Sequence, residues 1–269
     1  MTRLDDATLA TLLLTSRLVP DGPPPLKARE FWHLVDAVGG DPALLLSAVP
    51  AEVTDADRIE GLLDRATAFA FALEDIERSG ITLLSAFDRR YPTHLCERLG
   101  AQAPPVLHAA GPVELLEEPV VAIVAERGAG GAVPAAARAV AAEVVADGAA
   151  VLTAGTGTGV DAATTTDAAL EAGGAVVGLL AEALVLQLRR PEARRTIHAG
   201  RLCLVTPYPP TAPWSEGAER GRLLIATALA ERTVALDPAA DGLLAAALAD
   251  AEARGLDVEI IRSDLLLDG

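Results

Sequence analysis

The sequence contains little that would build a metal site, a disulfide framework or a membrane anchor. Its two cysteines, Cys96 and Cys203, lie far apart and have no histidine or cysteine neighbours at metal-ligand spacing. No apolar run approaches the roughly 18–20 residues that a membrane span requires, and residues 1–6 lack the basic-then-apolar order of a secretory signal. We therefore expect a cytoplasmic protein with no metal, no cofactor and no contact with membranes.

Aromatic and lysine side chains are also scarce. Aromatic residues make up 3% of the chain, which argues against the base-stacking platforms of OB-fold and RRM proteins. Lys27 is the single lysine, and 22 basic residues against 38 acidic ones give a formal net charge of −16 over 269 residues. A chain this acidic repels nucleic acid except where a local basic patch is present.

One segment, residues 189–222, has the opposite charge. It contains seven arginines against three glutamates, so its net charge is +4 and the remainder of the chain carries −20. The seven are Arg189, Arg190, Arg194, Arg195, Arg201, Arg220 and Arg222. These arginines either form an anion-binding surface or merely solvate helix faces, and the sequence leaves both interpretations open.

Hydrophobic periodicity divides the chain into two parts. Residues 1–80 have the pattern of short helices between proline and glycine breaks, with a long amphipathic helix over 54–79 that ends at Gly80. From residue 81, apolar strands alternate with helices, a pattern typical of parallel sheets. The sequence predicts a small all-helical domain over 1–80 and an α/β domain over 81–269, whose sheet is Rossmann-like, doubly wound and mostly parallel.

The α/β domain has a regular series of predicted elements. The predicted strands after residue 119 are 120–125, 150–154, 175–180, 202–206, 233–237 and 258–262. The predicted helices are 135–146, 161–172, an arginine-rich stretch that ends near residue 198, 219–231 and 243–254.

Three segments fall beyond the carboxyl ends of these strands, where ligands bind in open α/β sheets. They are residues 126–131, the loop 155–159, and residues 220–222 at the start of the predicted helix 219–231. Glycine lets backbone N–H groups approach an anion, and arginine makes bidentate contacts to phosphate. The pattern favours binding of phosphate or of a nucleic-acid backbone, although tight strand-to-helix turns need glycine in any case.

Catalytic constellations are missing from the sequence. The histidines, His33, His94, His108 and His198, belong to no Ser/Asp or metal-ligand pattern. Asp161, at the start of a predicted helix, is most simply an N-cap, and no nucleophile–base pair is recognisable. We therefore expect a binding protein rather than an enzyme.

A series of short motifs runs through most of the chain. In order they are Tyr91-Pro92-Thr93-His94-Leu95, Pro104-Pro105-Val106-Leu107 with Gly111, residues 121–127 (VAIVAER), residues 152–161 (LTAGTGTGVD), residues 169–174 (ALEAGG), Tyr208-Pro209-Pro210 and residues 220–226 (RGRLLIA). In identity and order this series resembles the DNA-processing protein A family (DprA, also called Smf), with its motifs "VAIVGSR", "VVSGLARGID", "AL..GG", "SEYPPG" and "RNRIIA". The amino-terminal helices resemble the family's small SAM-like domain.

The resemblance implies a function in natural transformation and recombination. Members of the family bind single-stranded DNA and help to load the recombinase RecA onto it, without turnover chemistry. By the same resemblance, the residues that would contact DNA phosphates or let the strand approach the backbone are Arg127, Gly155, Gly157, Thr158, Gly159, Arg220 and Arg222. We expect Arg127 and Arg222 to be exposed, and we expect the cluster 189–195 to lie on a helix directed away from this site.

The resemblance also implies that two copies pair through the Rossmann-like domain. The stretch Leu243–Leu248 contains only leucine and alanine and is a candidate contact, although such a helix could simply pack on its own sheet.

The chain departs from the family's motifs at several positions. It has Ala125 and Glu126 in place of glycine and serine, Thr158 in place of arginine, Thr165 in place of histidine, Pro207 in place of an acid and Gly221 in place of asparagine. Glu126 brings a carboxylate beside the proposed phosphate path, where it would repel DNA. Two alternatives therefore stay open, a nucleotide-binding sensor or scaffold of the same superfamily and a paralogue that keeps the fold as an interaction surface.

Overall fold

The protein folds into two compact units, residues 1–108 and 109–269. The structure, a computed structural model, describes residues 4–19, 21–51, 53–126, 128–153 and 160–262. The compact units divide later in the chain than the predicted domains, and the predicted domain boundary after residue 80 stays a prediction.

The first unit is mainly helical. Its elements are α1 (Asp6–Thr15), α2 (Ala28–Ala37), a 3-10 helix (Pro42–Leu46), α3 (Ala56–Leu63), α4 (Ala66–Arg78), β1 (Thr82–Ser85), α5 (His94–Leu99), a 3-10 turn (Gly100–Gln102) and β2 (Val106–Ala110), which reaches the boundary of the unit. The core of α1, α2 and α3 includes Leu14, Phe31 and Leu62, all fully buried. At the start of the 3-10 helix, the Asp41 side chain accepts a hydrogen bond from the Ala43 N–H at 2.9 Å, and Pro42 lies in the first turn.

The single long helix predicted over 54–79 is wrong, because the chain breaks between α3 and α4 at Arg65. The Arg65 side chain is buried, and its guanidinium donates hydrogen bonds to the carbonyl oxygens of Leu13 (3.2 Å) and Ser16 (2.8 Å). These carbonyls belong to the carboxyl end of α1, where helix carbonyls lack intrahelical partners. The break between α3 and α4 thus lies at the residue whose side chain binds the end of α1. Gly80 follows α4 in a left-handed conformation (φ 78°), as the sequence predicts.

The second unit is the predicted parallel sheet with its helices. Its elements are a 3-10 helix (Val113–Leu116), β3 (Val120–Ala125), α6 (Val133–Ala146), β4 (Ala150–Thr153), α7 (Val160–Glu171), β5 (Val176–Leu179), α8 (Leu184–Gln187), α9 (Pro191–His198), β6 (Leu202–Thr206), α10 (Glu216–Leu229), β7 (Arg232–Leu236), α11 (Leu243–Ala253) and β8 (Asp257–Ile261). From β3 onward the strands lie in the order β6-β5-β4-β3-β7-β8, and each neighbouring pair is parallel. The predicted fold class is confirmed.

The strand order reverses beside β3. The chain adds β4, β5 and β6 on one side of β3 and then returns to place β7 on the other side, with Val121 beside Val151 and Arg232. Because such crossovers are right-handed, α6 and α7 cover one face of the sheet and α11 covers the other, packed against α10. The topological switch point, where open α/β sheets bind ligands, therefore lies beyond the carboxyl ends of β3 and β7.

Within the described ranges, no helix combines the length and the apolar character that crossing a bilayer requires.

Candidate nucleic-acid interface

The carboxyl edge of the sheet is formed by the residues that follow each strand. Glu126 follows β3, Glu182 lies beyond β5, and Asp237 follows β7 in a left-handed conformation (φ 48°). Thr153 ends β4 and lies buried beside Thr166 of α7, with 3.5 Å between their hydroxyl oxygens. This described part of the edge is thus rich in carboxylate and hydroxyl groups.

Five of the predicted contact residues, namely Arg127, Gly155, Gly157, Thr158 and Gly159, lie outside the described residues. Their role stays a prediction.

The helix α10 begins earlier than the sequence predicts. The Ser215 hydroxyl accepts a hydrogen bond from the Ala218 N–H at 3.1 Å and caps the helix, so α10 begins at Glu216 rather than at Glu219. Both glutamates occupy the first turn, where the helix dipole favours negative charge. Residues 220–222 consequently lie in the second turn and not at the helix N-terminus.

Arg220 is exposed on α10. Its side chain is 66% accessible, and its Nη2 lies 3.6 Å from Oε1 of Glu216, which is exposed to a similar degree. An exposed pair of this kind contributes little stability. The Arg220 guanidinium can therefore exchange this partner for a phosphate at small cost.

Arg222 has a different environment, and the expectation that it is exposed is wrong. Only 5% of its side chain is accessible, and its Nη2 is hydrogen-bonded to Oε1 of Glu219. Trp214 donates from Nε1 to the other oxygen of that carboxylate at 3.1 Å. The Nε and Nη1 atoms of Arg222 have no hydrogen-bond partner in the part of the chain that the structure describes. The cause is helical periodicity, since residues 219, 222, 223 and 226 form one buried stripe of α10.

The Tyr208 side chain lies against Gly221 of α10. Its hydroxyl donates to the carbonyl oxygen of Ala218 at 2.9 Å and lies directly over Gly221. A Cβ atom at residue 221 would lie 2.2 Å from the Tyr208 hydroxyl oxygen. Burial raises the pKa of Tyr208, while Arg222 opposes this shift and Glu219 adds to it. With Tyr208 in this position, α10 has no room for a side chain at residue 221.

We predict strong coupling between residues 208 and 221. Gly221→Ala alone should destabilise the protein by about 1–3 kcal/mol, because the tyrosine must move. In a Tyr208→Phe background the nearest remaining ring atom is 3.5 Å from the new Cβ, and alanine favours the helix by up to about 1 kcal/mol. Urea unfolding of the four proteins measures this coupling, and an equal cost of Gly221→Ala in both backgrounds would contradict the account.

Glu126 lies at the switch point. It is half-buried, and a Cβ atom on Gly242 would lie 2.0 Å from its Oε1. Gly242 is the N-cap of α11, so the carboxylate is directed at a helix N-terminus, where negative charge is favoured. This Oε1 is buried and has no hydrogen-bond partner among the described residues. Repulsion of DNA by Glu126 stays a prediction.

The arginines before β6 divide into two groups. Arg201 donates from Nε to the carbonyl oxygen of Gly174 at 3.0 Å and also binds that of Leu170, so it satisfies the carboxyl end of α7. The other four are exposed: Arg189 and Arg190 lie between α8 and α9, and Arg194 and Arg195 lie on α9. Of the seven arginines in 189–222, two are therefore engaged inside the fold and five face solvent.

Neither cysteine is activated as a nucleophile. Burial, reinforced by Glu114, raises the pKa of the Cys203 thiol to about 12. Burial also raises the pKa of the Cys96 thiol, which the Tyr91 hydroxyl partly offsets. Activated cysteines have lowered pKa values, so these thiols have the character of structural residues. The described residues include no cluster of three or more His, Cys, Asp or Glu side chains that could hold a metal ion.

The family model for DNA recombination-mediator protein A matches residues 82–257 of this sequence. The chain belongs to this family. The match covers well over half of the chain and includes β1 to β7, so it confirms the resemblance found in the motifs. Proteins of the family are DNA-binding mediators and not enzymes. Comparison with the curated proteins finds no match.

Solved structures of family members share the fold. DNA processing protein A from Streptococcus pneumoniae is 18% identical, with a TM-score of 0.68 over 96% of this chain and 87% of its own. A structure of DNA processing protein A from Helicobacter pylori, which concerns its single-stranded DNA binding mode, is 17% identical, with a TM-score of 0.53 over 67% of this chain and 80% of its own. At these identities the likeness concerns the fold, and membership in a DNA-processing family follows from the family match.

Proposed function

We propose that this protein binds single-stranded DNA in natural transformation and helps to load a RecA-type recombinase onto it, without turnover chemistry. The observation that carries the proposal is the family match over residues 82–257, which includes the carboxyl edge of the parallel sheet. The single-stranded DNA binding of the Helicobacter pylori protein, which has the same fold, supports it.

The proposed binding site is the carboxyl edge beside the switch point. Arg127 and the loop with Gly155, Gly157, Thr158 and Gly159 would meet the phosphates there, together with Arg220. We assign Arg222 a positioning role instead, because its guanidinium holds Glu219, and Glu219 in turn holds Trp214 of the segment before α10.

The acidity of the chain limits how DNA can bind. With a net charge of −16, the protein repels a polyanion over most of its surface, so contacts must be local and strongly dependent on salt. We infer a small number of phosphate contacts made by exposed arginines.

A thermal-shift comparison tests the proposed function against a nucleotide sensor. A ligand at 100 times its dissociation constant adds about 2.7 kcal/mol of stability. We expect oligo-dT to raise the melting temperature at low salt, whereas mononucleotides and dinucleotides leave it unchanged. A rise with a nucleotide and none with oligo-dT would overturn the proposed function in favour of the sensor.

Replacing Arg220 with alanine tests its phosphate contact. We expect the slope of log affinity for oligo-dT against log salt to fall by about 0.7, the value for one phosphate on a single strand. The free energy of unfolding should stay within roughly 0.5 kcal/mol, because the side chain is exposed. Arg138→Ala is the matched control, since Arg138 is also exposed and paired with one acid, Glu171 at 3.3 Å. Equal slopes for the two variants would remove Arg220 from the site.

Pairing of two copies also stays a proposal. Within the proposed contact Leu243–Leu248, the side chains of Leu244, Ala247 and Leu248 are buried inside the unit, against α10 and β8 among others. These three side chains therefore pack within the unit and are not available for contact with a second copy. Light scattering at high concentration tests pairing, and a monomer would exclude it.

A further inference from the structure

Four exposed arginines form the one strongly basic stretch of surface in the segment that joins β5 to β6. We name Arg189, Arg190, Arg194 and Arg195 the arginine surface. Within residues 189–195 the only acid is Glu192, so the net charge is +3 and the remaining chain carries −19. A polyanion that approaches this protein is therefore drawn to this segment and repelled by most of the rest.

The start of α9 brings the arginines close together in the chain. The Arg194 N–H donates to the carbonyl oxygen of Arg190, the N-cap of α9, at 3.1 Å, so Arg194 lies one turn after Arg190. Arg195 follows directly on the helix, and His198 lies one turn after Arg194 and is also exposed.

Three of these guanidinium groups are only weakly engaged by the protein. The side chains of Arg189 and Arg194 make no hydrogen bond or ion pair with any residue in the described ranges. Arg195 Nη2 lies 3.4 Å from Glu192 Oε1, but both side chains are more than 70% exposed, so solvent screens the pair. A phosphate could therefore contact these three arginines without displacing a strong internal partner.

The arginine surface is linked to the carboxyl edge. Arg190 Nη1 donates to Gln187 Oε1 at 3.3 Å, and the buried Gln187 amide donates to Glu182 Oε1 at 2.8 Å. Glu182 lies at the carboxyl edge beyond β5. In addition, the Val185 N–H of α8 donates to the carbonyl oxygen of Pro210, in the segment that leads to α10. The surface is thus continuous with the elements that carry the proposed DNA site.

We propose that the arginine surface is a second contact for the phosphate backbone of single-stranded DNA, on a path that continues from the carboxyl edge across α8 and α9. The inference rests on the proposed function and differs from the expectation that this cluster is directed away from the DNA. An oligonucleotide long enough to leave the edge would reach Arg189 and Arg194, whereas a shorter one would not.

The test measures fluorescence anisotropy of oligo-dT of increasing length at several salt concentrations. The variant is Arg189→Ala/Arg194→Ala. Its control is Arg138→Ala/Arg254→Ala, which has the same net charge and removes two ion-paired arginines of the same unit. For long oligo-dT we expect the salt slope of the variant to fall by about 1.4, which corresponds to two phosphates on a single strand. For the shortest oligo-dT that binds, and for the control pair, the slope should not change.

Two outcomes would overturn the inference and are distinguishable. If wild-type protein binds long oligo-dT and the variant matches the control pair, the arginine surface is not on the DNA path, while the proposed function stands. If wild-type protein binds no oligo-dT even at low salt, both fail. Sedimentation without DNA identifies another occupant: self-association of the wild type that the variant lacks would assign this surface to an acidic face of a second copy and overturn the inference.

Discussion

Replacement of Arg222 with alanine is expected to lower the free energy of unfolding by about 3–5 kcal/mol, the cost of breaking a buried ion pair from one side. The loss arises because the Glu219 carboxyl group, also nearly buried, would lose the guanidinium group that it faces. The hydrogen bond from Trp214 to Glu219 cannot compensate, since an indole N–H carries no net charge. Urea unfolding monitored by circular dichroism measures the change.

Two controls separate this effect from general removal of an arginine. Arg220→Ala, two residues earlier and exposed, should change the free energy of unfolding by no more than roughly 0.5 kcal/mol. The double variant Glu219→Gln/Arg222→Met removes both charges and should recover much of the loss, because no uncompensated buried charge remains. Equal, small effects of Arg220→Ala and Arg222→Ala would show that Arg222 is exposed in solution, contrary to the structure.

Gly111→Ala should destabilise the protein by about 2–6 kcal/mol. Gly111 has φ 116°, a conformation that costs an L-residue roughly 1–3 kcal/mol. A Cβ atom there would also lie 2.3 Å from the carbonyl oxygen of Leu202 and 3.2 Å from the Cα of Cys203, and overpacking against backbone costs about another 1–3 kcal/mol.

Gly148→Ala is the matched control for this change. Gly148 also has a positive φ of 84°, but nothing lies within 4 Å of the position that a Cβ atom would take there. Its replacement should therefore cost only the conformational part, about 1–2 kcal/mol. The difference between the two melting temperatures measures the close approach of Gly111 to β6, and equal temperatures would mean that this approach does not exist.

The buried strands were the most predictable part of the fold. The bounds of β3 (Val120–Ala125) and β6 (Leu202–Thr206) agree with the sequence prediction residue for residue, because a strand covered on both faces is a continuous apolar run. The break between α3 and α4 was not predictable, because at Arg65 the local pattern is helical and the side chain is engaged by carbonyl oxygens some fifty residues earlier in the chain.

The candidate site was only partly predictable. The motifs indicate the correct family, but they do not distinguish Arg220 from Arg222. A signal was present, because Arg222 belongs to the same helical stripe as Leu223 and Ala226, whereas Arg220 does not. Ser215 was a second signal that the sequence analysis missed. Because Ser215 is the N-cap, Arg220 and Arg222 lie in the second turn of α10. The contact between Tyr208 and Gly221 depends on the path of the segment before α10. No local sequence pattern predicts that path.

The salt dependence of oligo-dT binding by the unmodified protein tests the central claim most directly. Fluorescence anisotropy between low and physiological salt should show log affinity falling linearly with log salt, by about 0.7 for each phosphate contacted. A slope that corresponds to several phosphates, despite a net charge of −16, is the result that we predict. No binding at low salt, or binding that salt does not weaken, would contradict the proposal that this chain binds single-stranded DNA.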